Sequence, residues 1–517
     1  MNLNLDIKKS FKYNLLFRYL NYILILISGF VLIPFYLNNF SLELYGVWIV
    51  ISAFTTWLLM FDPGSGNLLI QQISINIGKK NIKGLSGIIL SGLINSLIIA
   101  LAVIAIGSIL GTPLIVWIIE SPSTINEAII AFKYAVLAIA VMLLAHTLTG
   151  ILEGFQKTII TGLIVCSSSL IKIISVVLLI KLNYGIKSLP LSDLIAALNS
   201  LVLTFLYIII NFSFFFKKLN LKFKEYKRYT SLFFYNFAGR FTKILTGGGI
   251  DSIIIGKIIG LESVTTYYLA QLLPKKIEGF IGVTLISAKP ILAYLSGNLS
   301  KYNLAKFKLR LIYAILLLFI FIIYFLYDII EPFLKLWIGK DVYPGFYIVF
   351  LIIILSSQRI LTNAFSLILY SAGKIKEISK IQIVYTLVLI PFLLLGTKFY
   401  NLSGLLIAHI IILLLTLTLF LSIMILRDLN FLKSYKIILA KEILFLILTI
   451  VASLFIYKII LQFIDIQSIN WQTLIFILLI KASMFTCILY LISKHFRAEF
   501  LFFLKNKKFM PLNKWKV

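Results

Sequence analysis

Residues 88–110 read IILSGLINSLIIALAVIAIGSIL and contain no charged side chain. An apolar helix crosses the hydrocarbon of a bilayer in about 20 residues, so this run is long enough to span. Thirteen comparable runs lie on either side of it: 20–37, 45–61, 128–148, 159–180, 191–216, 232–255, 264–293, 311–330, 347–370, 381–395, 402–425, 444–461 and 474–492. The pattern predicts an all-α, polytopic membrane protein of about fourteen transmembrane helices. No small-residue cleavage site follows the first run, which therefore reads as a span and not as a removable signal. Pro34, Pro274 and Pro391 each delete a backbone hydrogen bond within a run and predict bends there.

Composition agrees with the runs. The 517 residues are 61% apolar and 13% charged, with a mean hydropathy of +1.04. That leaves too little polar side chain to clothe a soluble protein of this length. The net charge of +29 would suggest a nucleic-acid partner in a soluble chain; here the cations must lie around or inside a membrane, and no nucleic acid is expected. With the N-terminus placed in the cytoplasm, alternate loops and tails on that side carry 32 Lys and Arg and the outer ones carry 6, the other 10 of the 48 lying within spans. This asymmetry follows the positive-inside rule and predicts that both termini are cytoplasmic.

The densest basic segment, Lys217, Lys218, Lys222, Lys224, Lys227 and Arg228, divides the chain near residue 225. It predicts an N-terminal lobe of spans 1–6 over 1–225, a C-terminal lobe of spans 7–12 over 226–430, and two further helices with a basic cytoplasmic tail over 431–517. A faint repeat accompanies the division: Leu42–Glu43 before the second span and Leu261–Glu262 before the eighth, each followed by tyrosine (Tyr45; Tyr267 and Tyr268). Repeated halves are a common plan of secondary transporters.

Several chemistries are excluded. Gly256–Lys257 lacks both the first glycine and the Ser/Thr of a phosphate-binding loop. The longest outer connection, 111–127, has no room for a catalytic unit. Two cysteines, Cys166 and Cys487, and three scattered histidines, His146, His409 and His495, make neither a disulfide framework nor a metal centre. No nucleophile stands with a base, so neither an enzyme nor a bound cofactor is expected.

A charge at mid-bilayer costs roughly 2.5–3.5 kcal/mol on insertion scales, so intramembrane charges imply a partner or a wet cavity. In the seventh run Asn236, Arg240, Lys243, Gly247 and Asp251 recur at helical spacing and fall on one stripe, as a cavity-lining helix requires. Lys275 and Glu278 share a face of the eighth. Lys172 lies in the fifth, Asp193 opens the sixth, and Arg359 sits in the tenth beside Ser356, Ser357 and Gln358. Lys133, Lys458 and Lys481 lie closer to span ends, where snorkelling suffices. Cations outnumber acids in this set, which suits an anionic substrate such as a diphosphate.

At this point the chain resembles the polysaccharide flippase family, the Wzx-type O-antigen translocases of lipid-linked oligosaccharides, within the multidrug/oligosaccharidyl-lipid/polysaccharide exporter superfamily. The resemblance is carried by Tyr45-Gly46-Val47-Trp48 leading to Asp62-Pro63-Gly64-Ser65-Gly66-Asn67, by Gly154-Phe155-Gln156-Lys157, and by Asp251-Ser252-Ile253-Ile254-Ile255-Gly256. Leu261-Glu262 with Tyr267, and Leu336-Trp337-Ile338-Gly339-Lys340-Asp341, complete it, so that it covers roughly 15–500. Pro63 departs from the leucine more common in the family. The resemblance implies two six-helix lobes in a V, alternating access, and flipping of an undecaprenyl-diphosphate oligosaccharide across the bacterial cytoplasmic membrane for O-antigen or capsule synthesis. It implies contact with membrane lipids, and a polysaccharide polymerase and chain-length regulator as partners. By this analogy Arg240, Lys243, Lys172, Arg359, Asn236 and Lys275 line the substrate cavity, and Asp251, Asp193 and Glu278 are the acids able to carry a coupling ion. Asp62, at a helix end, is expected to be a cap. A lipid II flippase remains an alternative, while a multidrug exporter of cations fits a basic cavity less well.

Overall fold

A computed structural model describes residues 7–62, 65–78, 85–119, 122–217, 249–282, 301–339, 342–371, 374–428, 470–492 and 497. Among these all regular structure is helical: α1 Ile7–Asn39, α2 Leu42–Leu58, α3 Ser65–Gly78, α4 Leu85–Ile118, α5 Pro122–Gly154, α6 Thr158–Lys181, α7 Ser188–Lys217, α8 Ile250–Ile258, α9 Leu261–Ala270, α10 Lys301–Leu326, α11 Ile330–Ile338, α12 Phe346–Ser371, α13 Ile375–Leu413, α14 Leu419–Asp428 and α15 Trp471–Ile492. A further helical stretch covers 272–282. Eight described segments are long and apolar enough to cross a membrane, or nine if the pair 312–326 and 330–338, bent by 57°, counts as one more. The predicted run 444–461 and most of 232–255 lie outside the described residues.

One of the eight, Glu377–Arg427, is 51 residues long. A straight helix of that length would measure about 75 Å, more than twice the hydrocarbon thickness. It is instead a hairpin. Tyr400 and Asn401 leave the helical conformation, Asn401 at φ 51, and Tyr385 touches His409 although 24 positions separate them. The arms close on glycine: a Cβ added to Gly404 would lie 2.0 Å from the Gly396 carbonyl oxygen. The two predicted runs 381–395 and 402–425 are therefore two arms joined at residues 400–401.

The chain divides into two compact units, Met1–Thr265 and Thr266–Val517. The boundary near residue 225 expected from the basic linker falls in 218–248, outside the described residues, and α8 belongs with the first unit. In that unit α5 is the hub, packing against α2, α3, α4, α6 and α7. Its buried Ala128, Ala131, Ala135, Ala138, Ala140 and Ala145 let neighbouring backbones approach, which is how helices pack where lipid removes the hydrophobic incentive.

The helix α3 corrects the reading of 62–87 as a connecting segment. Asp62 does cap it, its Oδ1 accepting from the Ser65 N–H at 2.9 Å. Leu68, Leu69 and Ile73 are buried, and Gly66 crosses α5 so closely that an added Cβ would meet the His146 carbonyl oxygen at 2.5 Å.

Both Leu–Glu pairs of the sequence repeat open helices, with Glu43 and Glu262 in the first turns of α2 and α9, where carboxylates suit the helix dipole. Within the first unit these two ends meet. The Thr265 hydroxyl donates to the Leu42 carbonyl at 2.7 Å, and a Cβ on Gly46 would fall 2.1 Å from the Leu261 carbonyl oxygen. At the repeat's offset of 219, Leu42 corresponds to Leu261 and Gly46 to Thr265. Each position thus touches the counterpart of the other, the reciprocal pattern of a two-fold contact.

In the second unit α12 packs against α10, α13 and α14. Tyr313, Tyr324, Phe485 and Leu489 form a buried cluster that ties α15 to α10.

Candidate functional site

In the first unit a polar seam runs through three membrane helices. On α6, Ser169 donates to Asn21 Oδ1 of α1 at 2.7 Å. Asn199 of α7 donates to Ser168 at 3.0 Å and to Ser167 at 3.3 Å. Lys172 of α6 and Asp193 of α7 form an ion pair, their side chains 46% and 32% exposed. Lys172 stands nine residues before the end of α6, well inside a helix of membrane-spanning length. Lipid tails would leave such a half-exposed pair undersolvated, so this face of the helices needs water or lipid headgroups beside it. The sequence placed the lysine among cavity cations and the aspartate among ion-coupling acids; the structure joins them.

In the second unit Arg359 occupies the middle of α12. Its Nη2 lies 3.3 Å from Nε2 of His409, which is fully buried on the second arm of α13. The Tyr385 hydroxyl of the first arm is 2.9 Å from the same nitrogen. A guanidinium can only donate, so in that contact Nε2 stands as the acceptor. Beside them Gln358 donates to the Ile410 carbonyl and to Thr418, both at 3.3 Å. Thr418 ends a π-helical turn, Leu414–Thr418, and such turns open carbonyls to side-chain donors. His409 and Tyr385 escaped the sequence reading. The polar run Ser356-Ser357-Gln358-Arg359 signalled one wall of this group, but its partners lie 50–60 positions away.

A third group corrects the sequence reading of Lys481. It is not near an end: it lies midway along α15 with its side chain fully buried. It pairs with Asp328, at the break between α10 and α11, and lies 4.8 and 4.9 Å from the ring centres of Tyr324 and Tyr327, within cation–π range. Here a buried charge is neutralised inside the fold, without snorkelling.

The remaining candidates divide. Asn236, Arg240 and Lys243 lie outside the described residues. Asp251 is buried in the first turn of α8, but Gly249 before it has φ 85, in the left-handed region. The unbroken helical register assumed for the stripe ending at Asp251 therefore fails at Gly249. Lys275 and Glu278 fall in the stretch 272–282, the lysine exposed and the glutamate half-buried. The turn at Gln271 precedes Pro274, which has no N–H to bond the Ala270 carbonyl. Cys166 is buried and Cys487 exposed, both as free thiols. Among the described residues no cluster suits a metal ion.

No known family profile and no curated protein sequence matches the chain. Solved structures do. An inward-facing multidrug resistance MATE family transporter of the MOP superfamily aligns with a TM-score of 0.63 at 12% identity, over 77% of this chain and 94% of that one. The lipid II flippase MurJ, in an inward closed conformation, aligns with a TM-score of 0.62 at 16% identity, over 96% and 99%. The chain is thus a multi-pass, all-helical membrane protein with the fold that these two transporters share.

Proposed function

We propose that the chain is a flippase that carries an undecaprenyl-diphosphate-linked oligosaccharide from the cytoplasmic to the outer leaflet by alternating access, for O-antigen or capsule synthesis. The observation that carries this reading is a cation deep in a span of each unit: Lys172 on α6 of the first and Arg359 on α12 of the second. A diphosphate offers several acceptor oxygens, which arginine meets as a planar fork and lysine as a point charge. A pocket for organic cations needs the opposite sign. The acids Asp251, Asp193 and Glu278 are the groups proposed to carry a coupling ion, and no enzymatic step is assigned.

The second reading, lipid II as cargo, is favoured by one observation: the likeness to MurJ spans 96% of this chain. Both cargoes are lipid diphosphates, so the polar headgroup distinguishes them. The test is complementation. In cells of the source organism lacking the native gene, the wild-type chain restores surface glycan, and a variant carrying Arg240→Ala and Lys243→Ala does not, at equal abundance in the membrane. Normal glycan in the double variant contradicts the cavity assignment. Rescue of cells depleted of their lipid II flippase, with no effect on surface glycan, selects the second reading.

A further inference from the structure

Read singly, Lys172 suits an anionic cargo and Asp193 a coupling cation, yet the two side chains are paired with each other. We propose that Asp193 is the resident counter-anion of Lys172, and that a diphosphate binds here by displacing the carboxylate from the ammonium. Among the described residues neither side chain has another ion partner or hydrogen bond, so each is committed to the other. An ammonium left alone at this depth is costly, and the carboxylate removes that cost. The pair is nevertheless open: 46% of the lysine side chain and 32% of the aspartate side chain are exposed. Half-exposed pairs are weakly held, and a diphosphate brings more charge and more acceptor oxygens than a carboxylate does. The Lys481–Asp328 pair marks the contrast, because its lysine is 0% exposed and no ligand reaches it.

The exchange needs no movement of the backbone, because α6 and α7 are tied together on both sides of the pair. On one side the turn after Lys181 passes through Asn183 and Gly185 at φ 62 and 59, and the Ser188 hydroxyl donates to the Gly185 carbonyl at 2.7 Å. On the other, Asn199 donates to Ser168 and Ser167. Neither tie uses the ion pair, so the carboxylate can turn away while the helices keep their register. A second donor stands close by. Ser169, one turn before Lys172 on the same face of α6, donates to Asn21 Oδ1, and Asn21 Nδ2 is left without a partner among the described residues. An ammonium with an amide beside it suits the terminal oxygens of a phosphate. A cation taken up by Asp193 acts in the same sense as its displacement, since it too frees the ammonium, so anion and cation favour each other's binding. The meaning of this exchange for transport rests on the flippase reading above; the exchange itself does not.

Two measurements on the full chain in phosphatidylcholine nanodiscs test the exchange. In isothermal titration calorimetry with inorganic diphosphate, Asp193→Asn should bind about fivefold or more tightly than wild type, because a competing charge is gone, and Lys172→Ala should bind more weakly. Unchanged or weaker binding in Asp193→Asn overturns the proposal. Solid-state NMR of the wild type, isotope-labelled at lysine Nζ and aspartate Cγ, needs no variant to fold. Diphosphate should abolish the Lys172–Asp193 contact and spare the buried Lys481–Asp328 contact, which serves as the internal control. Survival of both contacts at saturating diphosphate overturns the proposal. Loss of the first contact in nanodiscs containing phosphatidylglycerol, with no diphosphate added, would make the anion a membrane phosphodiester and overturn its assignment to a diphosphate. Flipping of the diphosphate-linked oligosaccharide in proteoliposomes separates this result from the transport reading. Displacement of Asp193 by diphosphate without any flipping contradicts the flippase reading and leaves the exchange standing, whereas a contact that diphosphate does not break overturns the exchange even where the lipid flips.

Discussion

Lys172 and Lys481 are both lysines within spans paired with aspartates, yet their energetics differ. The Lys172–Asp193 pair is half exposed, and exposed pairs contribute about 0–1 kcal/mol. Lys172→Ala should leave the thermal unfolding midpoint in detergent within about 2 °C of wild type, while surface glycan falls at least several-fold. A large loss of stability together with glycan would make the lysine structural. Lys481 is fully buried, and removing one partner of a buried pair costs about 3–5 kcal/mol. Lys481→Met should therefore unfold the purified protein at clearly lower temperature, and adding Asp328→Leu should recover most of the loss. No recovery would mean that the tyrosine contacts, and not the neutralised charge, hold α15. Lys172 and Asp193 were each legible in the sequence but not as a pair, and Asp328 was not legible at all: it lies 153 positions from Lys481, and only the folding of α10 against α15 brings them together.

Among the elements, the spans were legible because uncharged runs of about 20 residues have one economical home. The hairpin at residues 400–401 was legible for the same reason, as a polar gap between two apolar runs. The helix α3 was not. Its Asn67, Gln71, Gln72 and Asn76 make it too polar for a hydropathy window, and its burial comes from glycine contacts with α5 that no periodicity announces. The two-fold contact of α2 with α9 was half legible, as a Leu–Glu repeat. It yields a direct prediction. Gly46→Val should collapse the yield of monodisperse protein in size-exclusion chromatography, because its first carbon alone would lie 2.1 Å from the Leu261 carbonyl oxygen. Gly29→Ala, on α1 with nothing within 4 Å of an added Cβ, should elute as wild type. Equal profiles for both would show that the α2–α9 ends are free to move apart.

For the whole molecule, the charge asymmetry of 32 to 6 makes a claim of its own. A green fluorescent protein fused after Val517 should fluoresce, and alkaline phosphatase at the same place should be inactive; the reverse would invert the topology. The fold class followed from composition and span count, since little else can be built from 61% apolar residues. The cargo did not, because the same fold serves a multidrug transporter and a lipid II flippase, and cargo is chosen by a few side chains whose partners are set in three dimensions. The proposed activity is movement of a lipid-diphosphate oligosaccharide across the bilayer. Purified protein in liposomes loaded symmetrically with that lipid tests it most directly, read by the fraction of glycan open to a membrane-impermeant glycosidase. Protein-free vesicles should expose only the outer-leaflet half. Wild-type protein should bring nearly all of the glycan within reach, and the Arg240→Ala, Lys243→Ala variant should behave as empty vesicles. A wild-type protein that leaves half of the glycan protected would show that it does not flip this lipid.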